Sequence, residues 1–214
     1  MNSLTFAPQT IDPRLDTAKR RQIVDGARGI FLAQGFEGAS MNDIARAAGV
    51  SKGTLYVYFE NKERLFAAIV EEERYNHVNM IFDFDHEDGD IEAVLTRVAT
   101  QLSAFLTQPR IVSAMRAVMG IAERMPEMGT RFYESGPCFS RGKLAAYFDL
   151  RVGAGQLDIP DTLLAAAQFL ELSHGPLVKP MFFGAAGQPT PERIAYVVRS
   201  AVTMFMAAYG RKSA

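Results

Sequence analysis

The chain has almost no cysteine. One thiol, Cys138, in 214 residues excludes an internal disulfide framework and fits a reducing cytoplasm. No apolar run approaches the ~18 residues that a membrane span requires, so no membrane partner is expected. The start, MNSLTFAPQTIDPRL, has neither a basic opening nor an apolar middle and does not read as a signal peptide. Catalytic signatures are missing as well: no nucleophile elbow, no phosphate-binding glycine loop, no HExxH and no CxxC. The three histidines, His77, His86 and His174, are too scattered to form a metal triad. Strand patterns are weak and there is no internal repeat. These absences point to an all-α, non-enzymatic chain with no metal and no cofactor. Its length and its 48% hydrophobic content suffice for a substantial core.

Charge is nearly balanced, at −1, but unevenly placed. Residues 14–66 carry nine bases and six acids; the rest carries 14 bases and 18 acids. A basic head on an acidic body suits phosphate contact at one end.

The informative stretch is SMNDIARAAGVSKGTLYVYFENK, Ser40 to Lys62. Ser40 is placed to cap a first short helix, with Asp43 three residues on, where a capping box wants a carboxylate. Gly49 falls where a left-handed helix stop is needed, and Val50 follows as an apolar plug. Ser51 caps a second helix, expected over Lys52 to Phe59. This pattern predicts a helix-turn-helix, whose second helix enters the major groove of DNA. In that second helix Leu55 and Phe59 read as core. Lys52, Gly53, Thr54, Tyr56 and Tyr58 read as the face for DNA: an ammonium for guanine or phosphate, a bare backbone for close approach, and groups able to meet thymine methyls and phosphates. Lys62 opens the next helix, where a helix N-terminus and an ammonium can hold a phosphate together.

The stretch Phe31 to Phe66, FLAQGFEGASMNDIARAAGVSKGTLYVYFENKERLF, resembles the DNA-binding head of the TetR (tetracycline-repressor-like, AcrR-like) transcription regulators. Phe31, Gly35, Phe36, the Ala45–Gly49–Val50–Ser51 turn, the Leu55–Tyr56–Tyr58–Phe59 run and Asn61–Lys62 stand in register with it. With helix one, the resemblance covers about the first third of the chain. By position it implies DNA contacts at Ser40, Asn42, Thr54, Tyr56, Tyr58 and Lys62, with Ser51 capping the recognition helix.

The remaining elements follow from periodicity and breakers. An arm is expected over residues 1–15 and a DNA-binding domain over 16–62. Helix one should run from about Asp16 to Gln34, with Ile23, Ala27, Ile30 and Phe31 as its stripe and Gly35 as its end. Its Lys19, Arg20, Arg21 cluster reads either as a solvated helix start or as a phosphate-facing strip. A body is expected over 63–214, led by a connector helix (63–80) that starts after the cap Asn61 and packs through Leu65, Phe66, Ile69 and Val70, with Glu71 to Glu73 as a solvated face. FDFDHEDGD, Phe82 to Asp90, reads as a polar loop. Read as an EF-hand from Asp83, it has Asp88 and Val94 where glycine and glutamate belong. Beyond it, SGPC (135–138) and His174-Gly175-Pro176 should kink or break their helices, and 153–160 should be a loop. The last helix, Pro191 to Tyr209, carries the cleanest apolar stripe.

The resemblance implies a body that encloses a cavity for a small effector. Methionines and aromatics at helical spacing are more often core than pocket wall; as wall the candidates are Met115, Met119, Phe132, Phe148 and Phe169, with Arg116, Tyr133 and His174 to orient a ligand. Together with the long apolar face of the last helix, it also implies a homodimer joined as a four-helix bundle, through Leu163 and Leu170 on one helix and Ile194, Val198, Val202 and Phe205 on the other. The reading is therefore a ligand-responsive regulator of the repressor kind, on a near-palindromic operator of double-stranded DNA. An effector-independent or architectural DNA-binding protein, and a transcriptional activator, remain open alternatives.

Overall fold

A computed structural model describes residues 17–83 and 90–211. The expected N-terminal arm, residues 84–89 of the acidic loop and the last three residues lie outside that description, as do the side chains of Val70, Glu71, Glu73 and His77. Ten α-helices make up the described residues, and no strand occurs among them: α1 Thr17–Gly38, α2 Met41–Ala47, α3 Lys52–Tyr58, α4 Lys62–Ile81, α5 Ile91–Leu106, α6 Pro109–Ala122, α7 Pro126–Tyr133, α8 Phe139–Gly153, α9 Thr162–Phe182 and α10 Pro191–Tyr209. The chain divides into two compact units, residues 1–70 and 71–214.

In the first unit α1 buries Ile23, Val24, Ala27 and Phe31, while Ile30 is only half-buried. Gly35 does break the helix, at φ +71° and ψ 175°, and one further turn reaches Gly38. That dihedral pair is open to glycine and strained for other residues. Phe36 is thereby thrown back onto Phe31 and onto Phe66 of α4, with ring centroids 6.0 and 5.0 Å away. The first turn of α4 is capped as expected: Asn61 Oδ1 accepts from the Arg64 N–H at 2.8 Å.

The second unit packs α5, α8, α9 and α10 around one core. Val94, Leu95, Val98 and Leu102 of α5 meet Leu144, Tyr147 and Phe148 of α8, Phe169 of α9 and Phe205 of α10. Phe205 stacks on Phe148 at 4.8 Å and meets Phe169 edge-on at 5.3 Å. The stripe read as a subunit interface is therefore core. Leu170, Ile194, Val198, Val202 and Phe205 are buried within one protomer, because this face of α10 packs against α5 and α9 of its own chain; only Leu163 of that set is exposed.

One expected break did not occur. α9 runs unbroken through Pro176 and Pro180. A proline forfeits one helical hydrogen bond, but α9 lies between α5, α8 and α10, and that packing outweighs the loss. The Ser103 hydroxyl of α5 also donates to the Ser173 carbonyl at 3.1 Å, beside the disturbed turn. The SGPC segment does interrupt the α-helix, as expected. Residues Glu134–Cys138 form a π-helical turn that carries α7 into α8, in which the Phe139 N–H reaches back to the Glu134 carbonyl. The wider turn accommodates Pro137, which has no N–H to give. The 154–161 segment is a loop, yet it is pinned: Asp158 N–H donates to the Tyr209 carbonyl at 2.9 Å, Arg211 N–H to the Gln156 carbonyl at 3.2 Å, and Leu157 is fully buried.

Gly26 marks a close approach of α1 to the helix-turn-helix. A Cβ there would lie 2.6 Å from the Ala48 Cα, whereas a Cβ at Gly29 would meet nothing within 4 Å. Gly26→Ala should therefore destabilise the chain by about 1–3 kcal/mol through overpacking, while Gly29→Ala should raise stability by about 0.5–1 kcal/mol. Thermal or denaturant melts of the two variants check this; equal effects would refute the close approach.

Candidate nucleic-acid interface

The first helix of the motif is capped at both ends. Ser40 Oγ accepts from the Asp43 N–H at 3.1 Å and donates to Asp43 Oδ2 at 2.6 Å. At the other end Gly49 takes φ +63°. Its N–H bonds to the Arg46 carbonyl at 3.2 Å, and the Val50 N–H to the Ala45 carbonyl at 3.0 Å. These two bonds are the Schellman arrangement, and they turn the chain sharply into α3. From α1, Gln22 Nε2 donates to the Ala48 carbonyl at 2.7 Å, so the turn is also held from below.

α3 begins with Ser51 Oγ accepting from the Thr54 N–H at 3.0 Å, and the two hydroxyls lie 2.8 Å apart. The helix ends at Tyr58, one residue before the expected Phe59, which is its C-cap. Leu55 is fully buried and Phe59 nearly so; they anchor the helix. The opposite face is open. Lys52 and Gly53 are exposed, Tyr56 is 44% exposed and Val57 66%. Thr54 and Tyr58 are half-buried at its edges. Lys52 Nζ lies 6.0 Å from the centre of the Tyr56 ring, one turn along the helix. Ser40, half-buried, and Asn42, exposed, sit at the start of α2.

The sequence reading passed over Val57. It shares the open face with Lys52, Gly53 and Tyr56, which i, i+1, i+4, i+5 spacing places opposite Leu55. An exposed valine there offers methyl groups to thymine. The basic cluster of α1 resolves residue by residue. Arg20 packs its guanidinium over the Phe59 ring at 5.3 Å, Lys19 donates to Gln22 Oε1 at 2.9 Å, and Arg21 is exposed. Lys62 is half-buried, with its ammonium directed at main-chain carbonyls of its own unit.

Comparison with known proteins agrees with this geometry. A model for the bacterial regulatory proteins of the tetR family matches residues 23–69, and one for the AefR-like transcriptional repressor C-terminal domain matches residues 93–211, more than half of the chain. The chain belongs to the TetR family. This is a family of regulators and not of enzymes.

Among relatives, HTH-type transcriptional repressor Rv1474c of Mycobacterium tuberculosis is 25% identical over 130 residues, 58% of this chain and 56% of that protein. HTH-type transcriptional repressor AcnR of Corynebacterium glutamicum is 39% identical over 78 residues, 36% of this chain and 39% of that one. The chain thus spans about half or less of the length of these relatives. Solved structures match throughout. A putative TetR-family regulator from Mesorhizobium loti superposes with a TM-score of 0.82 at 27% identity, covering 91% of this chain and 98% of that one. The flavonoid-responsive regulator FrrA gives 0.75 at 30% identity, covering 92% and 100%.

The TetR-family body does not gather the residues read as an effector pocket. Phe148 and Phe169 are fully buried in the core, Met119 and Tyr133 are more than half exposed, and Met115 and Phe132 are half-buried. Arg116 is engaged elsewhere: its guanidinium donates to the Phe182 carbonyl at 3.0 Å and to the Met181 carbonyl, capping the C-terminal end of α9. An open groove of about 810 Å³ does exist, between α9 and α10. Phe169, Leu172, Met204, Phe205 and Tyr209 line it, with Glu171 and Lys179 at its rim, paired at 3.0 Å. Of the eight expected ligand residues only Phe169 lies on it.

His174 sits beside that ion pair on α9. Its Nδ1 is buried without a hydrogen-bond partner. Burial holds the imidazole below its ordinary value of 6.5; Glu171 pulls upward and Lys179 adds to the depression. As pH falls, the unfolded chain therefore takes this proton before the folded one. Stability should be greatest above about pH 6.5 and decline as pH drops through that value. Melting curves of wild type and His174→Gln between pH 7.5 and 5.5 test this. The wild type should lose more stability than the variant; parallel losses would exclude His174 as the source.

Proposed function

We propose that the chain is a DNA-binding transcriptional repressor that reads a near-palindromic operator as a homodimer and releases it on binding a small, largely apolar effector. One observation carries the DNA reading. A short helix, capped by Ser51 and anchored by Leu55 and Phe59, leaves Lys52, Gly53, Tyr56 and Val57 uncovered on a continuous face. Thr54 and Tyr58 border that face, and Ser40 and Asn42 add phosphate contacts from the start of α2. Repression is the role printed for the relatives Rv1474c and AcnR.

The effector reading is supported by FrrA, a flavonoid-responsive regulator of which this chain covers the whole length at 30% identity. The scattering of the expected pocket residues favours the rival, an effector-independent DNA-binding protein. One assay separates them. A labelled duplex enriched from a random-sequence pool by the wild type should bind with strong salt dependence, and Tyr56→Ala or Lys52→Ala should weaken binding about tenfold or more. A panel of flavonoids is then titrated into the bound complex. Release of the duplex supports the effector reading, and saturating ligand without release supports the rival. Failure to enrich any duplex would defeat the DNA reading itself.

The homodimer face is proposed anew. Leu163, Leu164 and Leu172 of α9 and Tyr196 and Met204 of α10 are exposed, and Leu172 and Met204 line the groove. A patch of this kind on a TetR-family body suits a second copy related by a two-fold axis. Leu172→Glu and Met204→Glu should shift the protein from dimer to monomer in sedimentation at micromolar concentration without loss of helix content. A wild type already monomeric at that concentration would overturn the assignment.

A further inference from the structure

We infer that Val57 is a specificity residue that reads the C5-methyl group of one thymine in each operator half-site; this rests on the DNA-binding reading above. Val57 is 66% exposed on α3, while Leu55 and Phe59 anchor the helix, so the head does not need Val57 as core. A valine side chain has neither a donor nor an acceptor. Base pairs show nitrogens, oxygens and amino groups in the major groove, and these are read by hydrogen bonds. The thymine methyl is the one feature there that a purely apolar side chain distinguishes.

The open face of α3 carries two columns at i, i+4 spacing. In one, Lys52 Nζ lies 6.0 Å from the centre of the Tyr56 ring, an ammonium and a phenol that both offer hydrogen bonds. In the other, Val57 stands one turn beyond Gly53. Neither member of that second column favours the helix: glycine costs backbone entropy, and a β-branched valine loses rotamer freedom. The fold does not demand the glycine. Gly53 is not among the residues with positive φ, and a Cβ added there would lie 3.8 Å from Ser51 Oγ, an ordinary contact. Two poor helix formers on a seven-residue helix, four apart and both on the uncovered side, fit a task outside the fold. Valine is short, so its methyls meet a base only if the backbone comes close, and a bare Gly53 on the preceding turn permits that approach.

A uracil scan tests this. The duplex enriched by the wild type is remade with deoxyuridine in place of each thymine in turn, at matching positions of both half-sites, which removes the methyl and nothing else. At one such pair of positions the wild type should lose about fourfold in affinity per half-site, or about fifteenfold over the two. Val57→Ala should bind thymine and uracil equally at that pair while keeping any other thymine preference of the wild type. Its melting temperature should not fall, because alanine at an exposed helical position is the better helix former. Gly53→Ala holds Val57 off the base, so it should also lose the preference at that pair without melting lower. With cytosine at the same position, the wild type should favour 5-methylcytosine over cytosine, and Val57→Ala should not. A Val57→Ala protein that retains every thymine preference of the wild type overturns the inference, as does a wild type indifferent to every uracil substitution; both outcomes leave the DNA-binding reading standing. Failure to enrich any duplex defeats the DNA-binding reading and this inference with it.

Discussion

A seven-residue helix does not hold in water on its own hydrogen bonds, since nucleation consumes most of what so few turns return. α2 and α3 are both of that length, and the DNA face of this protein rides on the second. Their existence depends on closing loose backbone groups around one turn. Ser40 and Ser51 close the N-termini, the left-handed Gly49 closes the C-terminus of α2, and Gln22 closes the Ala48 carbonyl from α1. Leu55 and Ile44, both fully buried, then add the apolar contact that caps alone do not supply. Only with all of these in place does α3 stay folded while turning one whole side to solvent.

The same economy explains why Gly26 and Gly35 matter in the head. Gly26 lets α1 come against Ala48 with no side chain between them. Gly35 sends the chain back so that Phe36 lands among Phe31, Phe66 and the Lys62 ammonium. The head is thus held from beneath by α1 and, at Phe36, by the first turn of α4. In the second unit the organising contact is different. Phe205 of α10 sits between Phe148 of α8, Phe169 of α9 and Tyr209 of its own helix, in the core that α5 also joins. That convergence turns the cleanest apolar stripe in the sequence inward.

The head was legible because its signals are local. Capping serines, a glycine at the stop and an asparagine before α4 act within four residues of themselves, so reading them requires no knowledge of what packs where. The outward turn of Tyr56 was readable too, once Leu55 and Phe59 were given to the core. Val57 was passed over because a β-branched apolar residue on a short helix reads as core unless the opposite face is already known to be filled. The body was less legible. Apolar periodicity marks the buried side of a helix but does not say whether its own chain or a second copy does the burying. The interface set Leu170, Ile194, Val198, Val202 and Phe205 failed on that point. Pro176 was read as a break because the penalty of a proline is local, whereas the packing that overrides it is not.

The amino-acid order alone determined an all-α chain, a helix-turn-helix at 40–62 and, Val57 excepted, the side chains on its outer face, because caps, left-handed glycines and i, i+4 spacing are encoded within a few residues. Tertiary structure decided which apolar stripes are core and where the Arg116 guanidinium is held. It also decided that the residues expected around an effector do not converge and that a groove lies between α9 and α10. Those outcomes depend on contacts between segments tens of residues apart, such as 36 with 62 and 116 with 182, and no local pattern specifies them.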